Sequence, residues 1–236
     1  GYDLVQAKGK SFNNELAVVD LGVGRNMVNS INYWLSAFGI INKENITAFG
    51  DYLFNNRSGK DPYLESIGSI WLLHYYLIKT NAASIYNLFF NEFRLNKTAF
   101  TKAQFSDFII RRLNAIDQKG TNINTINSDI NVFIRSYLNP ELKHKKIDIE
   151  DEFSSLLIDL QLMDSYQSEN ANDEKVDWYV VTSELRIDLP WPIVLFTILD
   201  NNAYGKSIPF RDLLTSFNSP GNVFALNEDG DRKSVV

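Results

Sequence analysis

The segment 21–38, LGVGRNMVNSINYWLSAF, constrains the fold of this chain more than any other. Projected at 100° per residue from Arg25, the side chains of Met27, Val28, Ile31, Trp34, Leu35 and Phe38 fall within about 120° of arc. That is the stripe of a helix packing one side on a core. The other side carries Arg25, Asn26, Asn29, Ser30, Asn32, Tyr33 and Ser36. A face that merely meets water is built mostly from Glu and Lys, and Asn is a weak helix former. Asn26, Asn29 and Asn32 on one face therefore admit two readings. Either the face recognises a ligand, since Asn pairs two-pronged with an adenine edge and Arg with guanine, or the chain is simply rich in Asn.

The flanks favour recognition. Gly39 stands where a helix commonly ends, and a short polar gap leads to residues 46–54 (ITAFGDYLF), a β-prone run. Upstream, residues 12–20 (FNNELAVVD) predict a short helix. Helix, glycine turn, longer helix and extended segment is the order of a helix-turn-helix with a wing. Gly22 and Gly24 sit where the turn calls for relaxed backbone angles. This Gly-x-Gly is not a dinucleotide fingerprint, because the preceding strand, third glycine and downstream acid are missing. It leaves the Gly24 and Arg25 amides at a helix N-terminus, a place suited to phosphate. The candidate DNA-binding residues are Arg25, Asn26, Asn29 and Asn32, with the basic Lys8 and Lys10 upstream.

The remaining pattern predicts a mainly α fold, a helical bundle carrying winged-helix-like units. Asp61-Pro62 resembles an N-cap with proline at the first helical position, opening a helix over 63–79 that is apolar nearly all round from Ile70 to Ile78. Ser84 starts another, with Ile85, Leu88, Phe89 and Phe93 inward. Thr101 and Gln104 form a capping box ahead of Phe105, Phe108, Ile109 and Leu113. A further helix spans 127–138, stopped by Asn139-Pro140. Beyond it, 149–162 reads as helix, and the polar 165–177 as a loop or wing tip. Residues 178–181 look like a strand, helices run from Pro190 and Pro209, and 222–226 reads as a short strand. Strands are expected only in hairpins near 46–54 and 163–182. Three units follow: a winged-helix-like unit at 1–60, a helical bundle at 61–145, and a second helical, winged-helix-like unit at 146–236.

At 236 residues and 44% hydrophobic, the chain can bury a sizeable core. It has no run long and apolar enough for a membrane span. The absence of cysteine excludes disulfides and thiolate metal sites and fits a cytoplasmic protein. A net charge of −6 argues against a generic polyanion binder. Any DNA contact must come from a local patch or with a basic partner. The first 60 residues are near neutral, with Lys8, Lys10, Arg25, Lys43, Arg57 and Lys60 against Asp3, Glu15, Asp20, Glu44 and Asp51.

Catalytic constellations are sparse. His74 and His144 are the only histidines, so a multi-histidine metal site cannot be built within the chain. His74 lies in an apolar helix, where a core role competes with a functional one. Asn87 and Asn91 share a helix face with Glu92 adjacent, and could meet His74 if the two helices pack antiparallel. His74, Asn91 and Glu92 are thus the candidate catalytic residues; a polar cluster holding helices in register is the plainer alternative. Glu141-x-Lys143 and Asp173-x-Lys175 have the spacing of a metal-dependent nuclease but lie in turn-like sequence. No cofactor is evident, and Mg²⁺ is expected only if the chain nicks DNA.

Three blocks, 21–34 (LGVGRNMVNSINYW), 71–75 (WLLHY) and 89–93 (FFNEF), resemble in order the prokaryotic family named domain of unknown function 4007. The resemblance is specific over about residues 1–115 and weaker beyond. Such proteins typically sit in phage-defence gene clusters linked to DNA phosphorothioate modification, and the nicking subunit of the single-strand phosphorothioation system is similar to this family. The resemblance implies a DNA-binding component, in its sharpest form a nicking endonuclease, whose partners are DNA and other proteins of the defence system. Family members usually begin with a His-x-x-Phe-x-x-Arg segment that this chain lacks, so any catalytic group there would be missing. The alternative function is a non-catalytic helical scaffold or protein-interaction subunit that holds other defence proteins together and touches DNA little, and a homo-oligomer is a further partner expectation.

Overall fold

The computed structural model describes residues 1–7, 11–116, 122–138, 156–169 and 173–228. Their contacts form two compact units, Gly1–Ser84 and Ile85–Val236. Both are mostly helical, each with one small antiparallel sheet.

The first unit runs α1 (Tyr2–Gln6), α2 (Ala17–Leu21), α3 (Arg25–Ala37), β1 (Ile41–Asn42), β2 (Asn45–Ile46), α4 (Ala48–Phe54) and α5 (Ile67–Thr80). Gly22 and Gly39, at φ 68° and 70°, end α2 and α3 in the left-handed conformation that glycine adopts without strain. Gly24 is ordinary extended backbone (φ −65°, ψ 160°) and needs no glycine. Val28 and Ala37 of α3 are fully buried, while Met27, Ile31, Trp34, Leu35 and Phe38 are half-buried.

The expected strand at 46–54 is instead α4. The Thr47 hydroxyl accepts the Gly50 amide at 2.9 Å, capping the helix, and donates to the Gly39 carbonyl at 2.6 Å. Phe49 then stacks on Tyr76 (3.9 Å, 14°). A cap plus a tertiary contact outweighs the modest β propensity of Thr47, Phe49 and Tyr52. The hairpin lies just upstream, with Ile41 paired to Ile46 and Asn42 to Asn45.

Asp61-Pro62 does not open a helix. The buried Asp61 carboxylate accepts the amides of Glu65 and Ser66, both at 2.9 Å, closing a loop in which Leu64 takes φ 55°. Helix α5 starts only after Ser66. Burial disfavours the Asp61 charge, but bonds from the Ser69 hydroxyl and the Ser66, Glu65 and Leu64 amides outweigh it and hold the carboxyl below the usual range.

The second unit opens with α6 (Ser84–Leu88), continued by a π-helical turn, Phe89–Phe93. Then come β3 (Ala99–Phe100), α7 (Lys102–Ala115), α8 (Ile123–Tyr137), a 3₁₀ turn (Leu156–Leu160), β4 (Asp164–Glu169), β5 (Lys175–Val180), α9 (Trp191–Asp200), α10 (Phe210–Thr215) and α11 (Pro220–Val223). The Thr101–Gln104 capping box is present, both bonds at 3.3 Å. Asn122 caps α8 by accepting the Asn124 amide, so that helix begins four residues earlier than its apolar pattern implies. An aromatic core gathers Phe89, Phe93, Phe100, Phe105 and Phe133, with centroids 4.7–5.9 Å apart wherever these rings meet.

The polar stretch expected as a loop or wing tip forms the β4–β5 hairpin, Asp164 opposite Val180 through Glu169 opposite Lys175, with β3 on the other edge of β5. Asp173 stands in its turn at φ 58°. Residues 222–226 are not a strand. Ser219 caps α11 by accepting the Asn222 amide, Pro220 takes the first helical position, and only Leu226 forms an isolated bridge to Glu184. Of the expected 149–162 helix, residues 156–160 form the 3₁₀ turn. Gln161, at φ 47°, and Leu162 are not helical, and 149–155 lie outside the described residues, as do Lys8, Lys10, Glu141, Lys143 and His144.

Candidate nucleic-acid interface

Helix α3 follows α2 across the Gly22 turn and precedes the β1–β2 hairpin. On its outward side Asn26, Asn29, Ser30 and Tyr33 are exposed, with Tyr33 at 47%, and Asn32 is half-buried. Arg25 is spent differently. Its guanidinium donates to the Phe12 carbonyl at 3.0 Å and the Asn14 carbonyl at 3.3 Å, tying the segment before α2 to the start of α3. The sequence pattern placed Arg25 on the polar face but could not reveal these acceptors, because carbonyls carry no residue identity. Of the six expected DNA-binding residues, Asn26, Asn29 and Asn32 are brought onto one face, Arg25 braces it, and Lys8 and Lys10 are not described.

His74 is fully buried in α5 of the first unit, its ring edge-on to Trp71 at 5.9 Å. Asn91 and Glu92 belong to the π-helical turn of the second unit and serve different partners. Buried Asn91 donates to Asn218 Oδ1 at 2.9 Å and accepts the Asn218 amide at 2.7 Å. Glu92 receives Arg112 in a two-pronged pair, Nε to Oε2 at 3.0 Å and Nη2 to Oε1 at 3.3 Å, near the surface. Adjacent in sequence, the two side chains form no shared catalytic pair.

Arg94, which no sequence motif marked, is 4% exposed. Its acceptors are the Ser183 hydroxyl at 2.7 Å and the Gly221 and Asn222 carbonyls at 3.1 and 3.2 Å, so it clamps the end of α11. Burial, then repulsion from Arg186, lowers its pKa to about 10, still leaving it charged at neutral pH. Among the described residues no group of three or more His, Cys, Asp or Glu side chains could hold a metal ion. No helix among them is long and apolar enough to cross a membrane.

Two solved structures are similar in fold along nearly all of this chain. A magnesium ion-bound SspB crystal structure has a TM-score of 0.79 at 24% identity, covering 99% of this chain and 71% of that one. A further SspB crystal structure has a TM-score of 0.77 at 25% identity, with the same coverage. No curated protein matches the chain. The model of the family described as "Protein of unknown function (DUF4007)" matches residues 1–233, and the chain therefore belongs to that family.

Proposed function

We propose that this protein is the DNA-binding component of a prokaryotic DNA phosphorothioation and phage-defence system, acting in the cytoplasm, and that it nicks DNA. Membership of the family and likeness to SspB support the defence role. The observation that carries DNA binding is the exposed Asn26, Asn29 and Tyr33 face of α3, in winged-helix-like order behind α2 and ahead of a short hairpin. Of the three candidate catalytic side chains, Glu92 alone is partly exposed, at 32%, whereas His74 and Asn91 are buried. Glu92 is therefore the residue through which chemistry within these units is best tested. The experiment is incubation of supercoiled plasmid with the protein in Mg²⁺ or EDTA, followed by gel separation. Open-circular product dependent on protein supports nicking; plasmid that stays supercoiled in both conditions removes it.

One observation favours a second reading, a protein-interaction subunit. Helix α9 exposes Trp191 (60%), Leu195 (41%) and Leu199 (75%) at successive four-residue steps, a charge-free stripe of the kind that marks interfaces. A two-fold axis would lay this stripe against itself in a second copy without opposing like charges. Light scattering at rising concentration tests self-association through this stripe: a dimer that Leu199→Glu converts to monomer supports it, and a monomeric parent eliminates it.

A further inference from the structure

In the second unit the strand order β3-β5-β4 leaves β4 with one long edge that no strand covers among the described residues, and all six of its residues are exposed. Its register with β5 runs unbroken from Asp164 opposite Val180 to Glu169 opposite Lys175. The strand, DSYQSE, holds no proline or lysine. Proteins commonly blunt such an edge with a bulge, a proline or a lysine, because its unmatched amides and carbonyls take up another strand. Here none of these devices is present.

Side-chain alternation divides the hairpin into two faces. Tyr179 turns to the core, its ring 5.7 Å from that of Phe100, and Ser165, Gln167 and Glu169 share its side. Tyr166 and Trp178 stand on the other side as a cross-strand pair, ring planes 7° and centroids 6.2 Å apart. Tyr166, on the edge strand itself, is 49% exposed. A strand laid along β4 would run beside that ring, and a cation on it would meet the π surface.

Charge decides the occupant. Residues 164–169 and 173–180 carry five carboxylates (Asp164, Glu169, Asp173, Glu174 and Asp177) against one cation, Lys175. Two of the five have work within the unit: Asp177 accepts the Gln167 amide group at 2.8 Å, and Asp164 attracts Arg186. A second copy laid antiparallel on β4 in full register would set Asp164 against Glu169 at both ends, which like charges disfavour. The phosphates of DNA meet the same repulsion. An extended chain bearing Lys or Arg is attracted by both the carboxylates and the rings.

We infer that β4 is the docking edge for an extended, basic segment of a partner protein, which adds as a fourth strand and lays a Lys or Arg against Tyr166 and Trp178. Main-chain hydrogen bonds hold the segment, and the rings and Glu169 select its charge. This surface is separate from the Asn face of α3 and the apolar stripe of α9, so it stands whether or not the protein binds DNA or self-associates.

The test is fluorescence anisotropy on the whole chain with a labelled peptide of alternating Arg and Thr. Two peptides serve as controls, one with Glu in place of Arg and one basic but N-methylated throughout, which keeps the charge and removes the main-chain donors. The basic peptide should bind, the acidic one should not, and methylation should weaken binding about tenfold or more, since several hydrogen bonds are lost. Tyr166→Ala should weaken binding about two- to fivefold, the size of an exposed cation–π contact. Glu169→Lys, at an exposed strand end, should weaken it too, and this variant keeps the test decisive if Tyr166→Ala loosens the hairpin. Failure of the basic peptide to bind, or equal binding of its methylated form, would overturn strand addition. Parental affinity in folded Glu169→Lys would place the peptide elsewhere and overturn the site. A labelled single-stranded oligonucleotide that binds the parent but not folded Tyr166→Ala would assign the rings to base stacking and overturn the peptide.

Discussion

Asn91 and Asn218 bind each other twice: the Asn91 amide group donates to Asn218 Oδ1, and Asn91 Oδ1 accepts the Asn218 backbone amide. Asn218 is held at φ 55°, a left-handed conformation that Asn tolerates better than most residues. The pair pins the turn between α10 and α11 to the π-helical turn. Asn91→Ala would strand a partly buried amide, so it should cost about 1–3 kcal/mol of stability. Urea denaturation measures this. Loss of nicking at unchanged stability would instead give Asn91 a direct chemical role.

Arg25→Ala should lower the melting temperature, because two carbonyl contacts from one charged group disappear, a loss of about 1–2 kcal/mol. Asn29→Ala, on an exposed site, should leave stability unchanged. If Asn29 reads a base, its removal costs about 1–3 kcal/mol, roughly ten- to a hundredfold in affinity. Calorimetry with anisotropy separates the two effects. Parental DNA affinity in folded Asn29→Ala would exclude that residue as a reader.

Asp61 should make the first unit acid-sensitive. Its folded pKa lies below the ordinary 3.8, so the charged form is favoured by folding. That stability is present above pH 3.8 and is lost as pH falls through the folded value. Asp61→Asn should be less stable at neutral pH and decline less steeply below about pH 4. Urea midpoints across pH 2.5–7 read this directly, and parallel curves for the two proteins would refute it.

Glu92→Ala breaks a largely exposed ion pair with Arg112 and should cost no more than about 1 kcal/mol. Because the fold survives, this variant is the sharpest probe of catalysis. Abolished plasmid nicking with a near-parental melting temperature would assign Glu92 to the reaction; parental nicking would leave the pair structural.

Much of the architecture was legible locally. The α3 stripe, the Thr101 capping box, and the starts of α9 and α10 after Pro190 and Pro209 follow from periodicity and capping, which act within a turn or two of chain. Sequence alone also determined that one face of α3 would be polar and rich in Asn. The misassigned elements are those in which one specific side-chain contact, near or distant, overrode the local pattern. Thr47, Phe49 and Tyr76 made a helix of a β-prone run, Asp61 closed a loop where a helix start was expected, and Ser219 with Pro220 made a helix of an apparent strand. The site divides in the same way. Residue type placed Asn26, Asn29 and Asn32 on a common face. Only the tertiary structure decided that Arg25 would brace backbone carbonyls and that Asn91 and Glu92 would part. Hydrogen-bond partners depend on atoms brought together from far along the chain, and no local pattern specifies them.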